Sequence, residues 1–341
     1  MARRLLAVAL FVSLFTTIAG AARAATVVKV GTLAPANSSW AREFKKLAAD
    51  IASDTNGELQ LDFQWNGQAG DEVLMVQKIR TGQLDAAAVT ALGLAQTGVP
   101  DILLFDLPGL FTSWDKLDVA RDALKGEFDK LFEAKGFTIL GWGDIGELKT
   151  MTIGFEVHHP SDLRGKGVFF LQGDPIQPKV FAAIGGITPK QVALPEILPG
   201  LQNGSINVLV MPSLAAEQLQ WTSRITHIST ETLAFGIGAF ICSSAKLATV
   251  PPKLREVIQR RGQEASDRLN KIVRNLDAQA YARLKATRTA YAPTEADRNE
   301  WKDVFIKVSQ SLRGTVFTPS LFDRVVALAG NPLVPGSVVR R

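Results

Sequence analysis

The spacing of apolar residues changes period along the chain. Residues 27–33 form an apolar run broken by Lys29 and read as a buried strand. Trp40, Phe44, Leu47 and Ile51 then recur at helical spacing, and Ser38 or Ser39 can cap a helix that runs to about Asp54. Asn56-Gly57 predicts a turn. Leu59, Leu61 and Phe63 alternate with polar residues, as in a half-exposed strand. Residues 71–81 read as a helix ended by Gly82, and 84–89 as a short buried strand. Strand, helix, strand, helix, strand is the order of an α/β unit on a parallel sheet.

The same order returns later. Residues 166–171 read as a strand, 175–184 as a helix, 188–194 as extended, 195–203 as a short helix and 206–211 as a strand. From Pro251 the chain becomes charged and helical, with Leu254, Ile258, Ala265, Leu269 and Val273 on one face. Two α/β units imply two lobes, with a cleft where the strands end.

Composition narrows the chemistry. A chain of 341 residues is long enough for about two domains. One cysteine excludes a disulfide framework, and three histidines leave little for a metal cluster. The formal charge of +5 includes Arg3, Arg4 and Arg23, which lie in an opening segment without acids. Without those three the counts are 35 basic and 33 acidic residues, so composition gives no support to nucleic-acid binding. Arg3 and Arg4 precede an apolar stretch, and Ala22-Arg23-Ala24 is a small-x-small pattern. This predicts a signal peptide over residues 1–24, cleaved near Ala24, and a periplasmic mature chain. The stretch is also long enough to be retained as an anchor, and sequence leaves that alternative open. Cys242 sits in an apolar run and reads as a small buried residue.

Motifs that could carry catalysis are weak. Gly141-Trp142-Gly143-Asp144-Ile145-Gly146 matches G-x-G-x-x-G after a strand. A dinucleotide site needs a helix to open at the third glycine, and residues 147–155 read as extended. An interdomain crossing fits the pattern better. His158 and His159 are adjacent on an extended segment, point to opposite sides and suit a solvated loop. His227 has no matching nucleophile motif. Asp71-Glu72 suits the first turn of a helix through its dipole, with Glu72 also placed to face a cleft. No catalytic, metal or cofactor residues emerge, and the expectation is a protein that is not an enzyme.

Several phrases occur in an order that resembles the DctP-type solute-binding proteins of TRAP transporters. They include Gly31-Thr32-Leu33-Ala34-Pro35 with Ser39-Trp40, and Asn66-Gly67-Gln68-Ala69-Gly70-Asp71-Glu72. Arg80-Thr81-Gly82-Gln83-Leu84-Asp85 follows, then Asp106-Leu107-Pro108-Gly109-Leu110-Phe111, Pro160-Ser161-Asp162-Leu163-Arg164-Gly165 and Leu201-Gln202-Asn203-Gly204. The resemblance implies a two-lobed periplasmic binding protein fold of α/β class. Each lobe is a mixed, mostly parallel sheet flanked by helices, and a long C-terminal helix spans both. Lobe I is expected at residues 25–147 plus about 233–275, and lobe II at 148–232 plus about 276–330. It also implies a receptor that closes on a small ligand and hands it to a membrane permease.

Most members of that family bind organic acids, and an arginine forks onto the ligand carboxylate. Aligning Asp162-Leu163-Arg164-Gly165 with the family phrase puts Phe169 at that arginine. A second family arginine falls on Leu148, and a family asparagine on Met211. Three polar positions thus become apolar, and an apolar or amphipathic, lipid-like ligand is expected. Candidate ligand-binding residues are Leu148, Phe169 and Met211, with Trp40, Glu72, Thr90, Leu107, Trp142 and Phe235 placed by their loops. Lys149 could supply a charge if the register shifts by one. Two alternatives stay open: an organic acid held by unaligned residues, or a ligand-presenting protein that works with a helical-repeat lipoprotein instead of permease subunits.

Overall fold

The computed structural model describes residues 25–330, and the signal segment expected at residues 1–24 lies outside them. The chain opens with β1 (Thr26–Thr32), α1 (Ser39–Asp54), β2 (Leu59–Gln64), α2 (Glu72–Arg80) and β3 (Ala86–Thr90). Local chemistry sets the boundaries. The Ser38 hydroxyl accepts from Ala41 N at 3.1 Å and starts α1. Asp71 does the same for α2, accepting from Leu74 N at 2.8 Å. Trp40, Leu47 and Ile51 are buried, so the helical spacing in the sequence marks the inward face of α1.

A short α3 (Ala91–Ala95) and a 3-10 turn lead to α4 (Trp114–Ala134) and the long β4 (Phe137–Thr152). The second unit is β5 (Gly167–Phe170), α5 (Gln177–Ile184), β6 (Thr188–Gln191), α6 (Ile197–Asn203), β7 (Val208–Pro212) and α7 (Ser213–Gln218). The chain continues through β8 (His227–Ser229), β9 (Ala234–Ser243), α8 (Ser244–Thr249) and α9 (Pro252–Thr287). It ends its described course with β10 (Thr289–Tyr291), α10 (Glu295–Leu312) and α11 (Pro319–Ala329).

Among the described residues these strands join one ten-stranded sheet, ordered β2-β1-β3-β9-β4-β7-β5-β6, with β8 on β4 and β10 on β8. The β2-β1-β3 and β7-β5-β6 ends are parallel, as the alternating units predict. The centre is antiparallel: β9 pairs with β3 and β4, and β4 with β7. Strand β4 pairs with β9 along residues 137–148 and with β7 along 148–152, and so links the two parallel ends. Cys242 on β9 is fully buried, as its apolar setting implies, and burial pushes its thiol up to about 12.

The glycine-rich segment lies inside β4, with no helix opening after it. The β4–β9 register shifts between Asp144 and Gly146. Gly146 has φ +134°, and a Cβ there would sit 2.6 Å from Pro212 Cβ and 2.8 Å from Asp277 Cγ. Packing and backbone geometry thus require this glycine, and no phosphate cradle is formed. His158 and His159 also depart from a solvated loop. They dock on α10: His158 Nδ1 lies 3.3 Å from Asp297, and His159 Nδ1 lies 3.1 Å from Glu300. The Trp301 indole donates to the His158 carbonyl at 3.0 Å.

Helix α9 has 36 residues, about 54 Å of rise. It lies along β4 and reaches both lobes, and three of its side chains hold the crossing. Asn270 accepts from Asp144 N at 2.8 Å. The Asp277 carboxylate accepts from Glu147 N and from Leu214 N, both at 2.8 Å. Arg274 Nε donates to Asp144 at 2.6 Å, and Arg121 on α4 donates to the other Asp144 oxygen at 2.7 Å. Both arginines also bind Asp118 at 2.7 Å. The guanidinium groups hold the Asp118 carboxyl below its usual range. Asp144 is fully buried, so its charge depends on these partners.

Replacing Asp144 by Ala leaves Arg121 partly uncompensated in the interior. We expect Asp144→Ala to cost about 3–5 kcal/mol of unfolding free energy in urea titration. A loss under about 1 kcal/mol would place the network among ordinary surface ion pairs.

Candidate functional site

The strand ends β1 and β3 face β5 and β7 across an interlobe cavity of about 320 Å³. The lobes touch at its rim. Gln218 on α7 accepts from Ser39 N at 3.0 Å and donates to the Ser39 hydroxyl at 2.8 Å. Gln96 donates to the Gly173 carbonyl at 3.3 Å. The cleft is thus in a closed arrangement.

Six of the nine sequence candidates line this cavity: Trp40, Glu72, Thr90, Leu148, Phe169 and Met211. Phe169 stands edge-on to Trp221, with centroids 6.2 Å apart. Trp40 packs with Leu214 and Leu269, which joins α1 to α7 and α9. Leu107, Trp142 and Phe235 lie in the largest hydrophobic core cluster and outside the lining. Trp142 alternates with Gly141 and Gly143 on β4, and the two glycines line the cavity. The tryptophan instead meets Phe132 at 6.0 Å and donates to Asp129 at 3.3 Å. Phe235 packs on Trp114 at 4.8 Å, and its neighbour Gly236 takes the wall position. Likewise Asp106, next to Leu107, reaches the cavity.

Lys149 supplies no charge to the cleft. It is buried outside the lining. Its ammonium donates to the Thr232 hydroxyl at 2.9 Å, lies 3.3 Å from Glu147 and sits 4.3 Å from the Tyr281 ring centroid.

The charged residues of the lining are all acidic. Glu72 accepts from Thr90 N at 2.7 Å and from the Thr90 hydroxyl at 2.6 Å. This bond ties the start of α2 to the end of β3, and burial pushes the Glu72 carboxyl up. Asp106 accepts from Ile237 N at 3.2 Å. Burial holds its carboxyl well above the usual range, helped by the charges of Asp174 and Glu72. Asp174, in the loop after β5, accepts from Ile176 N at 2.7 Å and Gln177 N at 3.1 Å. It too is pushed up by burial. Two further acids of the lining have cations, Glu43 with Arg268 and Asp144 with its arginines. Glu72, Asp106 and Asp174 form no ion pair among the described residues, and the lining contains no lysine, arginine or histidine. Sequence reasoning missed Asp106 and Asp174. Asp106 opens one of the quoted phrases, so a signal was present; Asp174 carries none.

Comparison with known proteins places this geometry. The model of the bacterial extracellular solute-binding protein family 7, DctP, matches residues 30–314. A C4-dicarboxylate-binding periplasmic protein of Rhodobacter capsulatus is 23% identical over 278 residues, covering 80% of this chain and 81% of that protein. An uncharacterized protein of Sinorhizobium fredii, y4mM, is 26% identical over 293 residues, which are 86% of this chain. The chain spans about half of that protein's length, 53%. A TRAP periplasmic solute-binding protein from Ralstonia eutropha, solved with bound 2-acetolactate, superimposes with a TM-score of 0.82 at 19% identity. It covers 89% of this chain and 98% of its own. The fold is therefore that of the DctP structures, and the chain belongs to the DctP family of bacterial extracellular solute-binding proteins.

Proposed function

We propose that this chain is the periplasmic receptor of a TRAP-type transport system, and that its cleft takes a ligand with an apolar body and no free carboxylate. The observation that carries the ligand reading is the charge of the lining: carboxyl groups at Glu72, Asp106 and Asp174, and no cation. A carboxylate closed into this space would lose its hydration and meet acids, at a cost of several kcal/mol. Leu148, Phe169 and Met211 occupy the places where the family resemblance expects polar contacts. Each such side chain covered by an apolar ligand contributes about 1.5–3 kcal/mol. Binding draws the lobes together about β4, β9 and α9, and the closed form is what a permease or a lipoprotein partner would read. The protein binds and releases without chemistry.

A second reading is an organic acid. It is favoured by the name of the Rhodobacter capsulatus relative and by the acetolactate in the Ralstonia eutropha structure. Native mass spectrometry of the purified protein, followed by organic extraction, separates the two. An apolar or amphipathic molecule is expected to co-purify; a dicarboxylate or keto acid alone would overturn the first reading.

Phe169→Arg should weaken an apolar ligand about tenfold or more and create carboxylate affinity, measured by calorimetric titration. Unchanged affinity for both would remove Phe169 from the site. The acids add a pH dependence. A neutral ligand that covers Asp106 and Asp174 raises their carboxyl pKa further, so the complex holds more protons than the free protein. Affinity should be greatest at acid pH and fall as pH rises through the raised values. Titration in buffers of different ionisation enthalpy should show proton uptake, and its absence would separate these groups from the ligand.

A further inference from the structure

The cavity does more than separate the lobes. One part of its wall belongs to the interlobe face, with Leu148, Phe169 and Met211. Another part lies inside lobe I: Leu47 of α1, Phe240 of β9 and Ala265 of α9 all line it. These three are members of the hydrophobic core beneath the lobe I sheet. The open space therefore continues from the cleft into a layer between the sheet and α1 with α9.

Glycines on the two central strands mark its course. Gly141, Gly143, Gly236 and Gly238 line the cavity. A Cβ on Gly141 would fall 2.0 Å from the Ser266 hydroxyl and 2.6 Å from the Gly262 carbonyl, so α9 packs directly on the strand there. A Cβ on Gly238 would fall 2.4 Å from the Val89 carbonyl, and one on Gly236 3.0 Å from Leu148. At Gly143 the first atom met is the Gly238 carbonyl oxygen, 3.8 Å away. Gly143 alone of the four faces space that a side chain could fill. It shares the face of β4 that carries Gly141, so the space leads toward the contact with α9.

We infer that this arm of the cavity is a subsite for a linear apolar chain of the ligand, entered past Gly143 and closed at its inner end where α9 meets Gly141. The inference rests on the apolar-ligand reading and deepens it: the interlobe chamber holds one part of the molecule, and an unbranched tail runs into lobe I. The walls are suited to this. Leu47, Phe240 and Leu269 offer only hydrocarbon, and Ala265 and Gly143 keep the passage open. A compact hydroxy acid would leave the arm unfilled, whereas an alkyl chain gains from each methylene it hides.

The test uses the full mature chain and a series of straight-chain 1-alkanols from butanol to dodecanol, with binding followed by tryptophan fluorescence and native mass spectrometry. Affinity of the wild type should rise about fourfold per methylene until the arm is full, and then level off. Gly143→Val should move the levelling point to chains about three carbons shorter, and Gly143→Ala by about one. Leu47→Ala, which widens the arm, should move it to longer chains. Thermal unfolding of each variant reports whether it has folded, and Gly143→Ala carries the test if the valine variant has not. Folded Gly143 variants whose length profile matches the wild type would overturn the tail subsite while leaving the apolar-ligand reading in place. A wild type that binds no alkanol of any length would overturn both.

Discussion

The structure depends on the central antiparallel strands and on the helix that clamps them. Strand β4 joins β9 to β7 and so links the two parallel ends of the sheet, and any motion of one end against the other must bend it. Such a bend would expose backbone groups where the register shifts at Asp144 and Gly146. Helix α9 satisfies those groups from outside the sheet. Asn270 takes the Asp144 amide, and Asp277 joins the Glu147 amide to the first turn of α7 through Leu214. The buried Asp144 carboxylate then anchors α4 and α9 together through two arginines.

The cleft follows from this arrangement. Central strands with glycines at 141, 143, 236 and 238 let α9 and the lobes approach closely, and they leave space where no side chain intrudes. Charge is distributed on the same plan. The basic groups near the crossing are held by structural acids: Arg121 and Arg274 by Asp144 and Asp118, Lys149 by Glu147. The acids left facing the cavity have only backbone amides and a threonine hydroxyl as partners. Under the proposed function, such a site would discriminate against anions by what it lacks as much as by what it offers.

Much of the fold was legible because local chemistry and tertiary structure agree there. Ser38, Asp71 and Gly82 mark helix ends that the structure keeps, and the strand-helix alternation of both units survives as the two parallel ends of the sheet. Strand β9 was not legible. Nine of its ten residues are buried, so it shows no alternation, and an apolar run says nothing about its antiparallel pairing. Around the cavity, alignment with the family phrases placed Phe169 and Met211 on the lining, whereas loop position failed at Trp142, where strand alternation turned the large side chain inward. The docking of His158 and His159 on α10 depends on contacts far apart in sequence. Local pattern does not encode such contacts.

Gly146 couples the crossing to the cavity wall. Its α-carbon is hemmed between Pro212, which also lines the cavity, and Asp277 on the clamping helix. Any side chain there would press on both and strain a backbone held at φ +134°. If the lobes close on ligand as proposed, such a wedge would lower the population of the closed form, and apparent affinity would fall with it. The residue that lets the central strand pass α9 is thus also one on which closure and the shape of the wall would both depend.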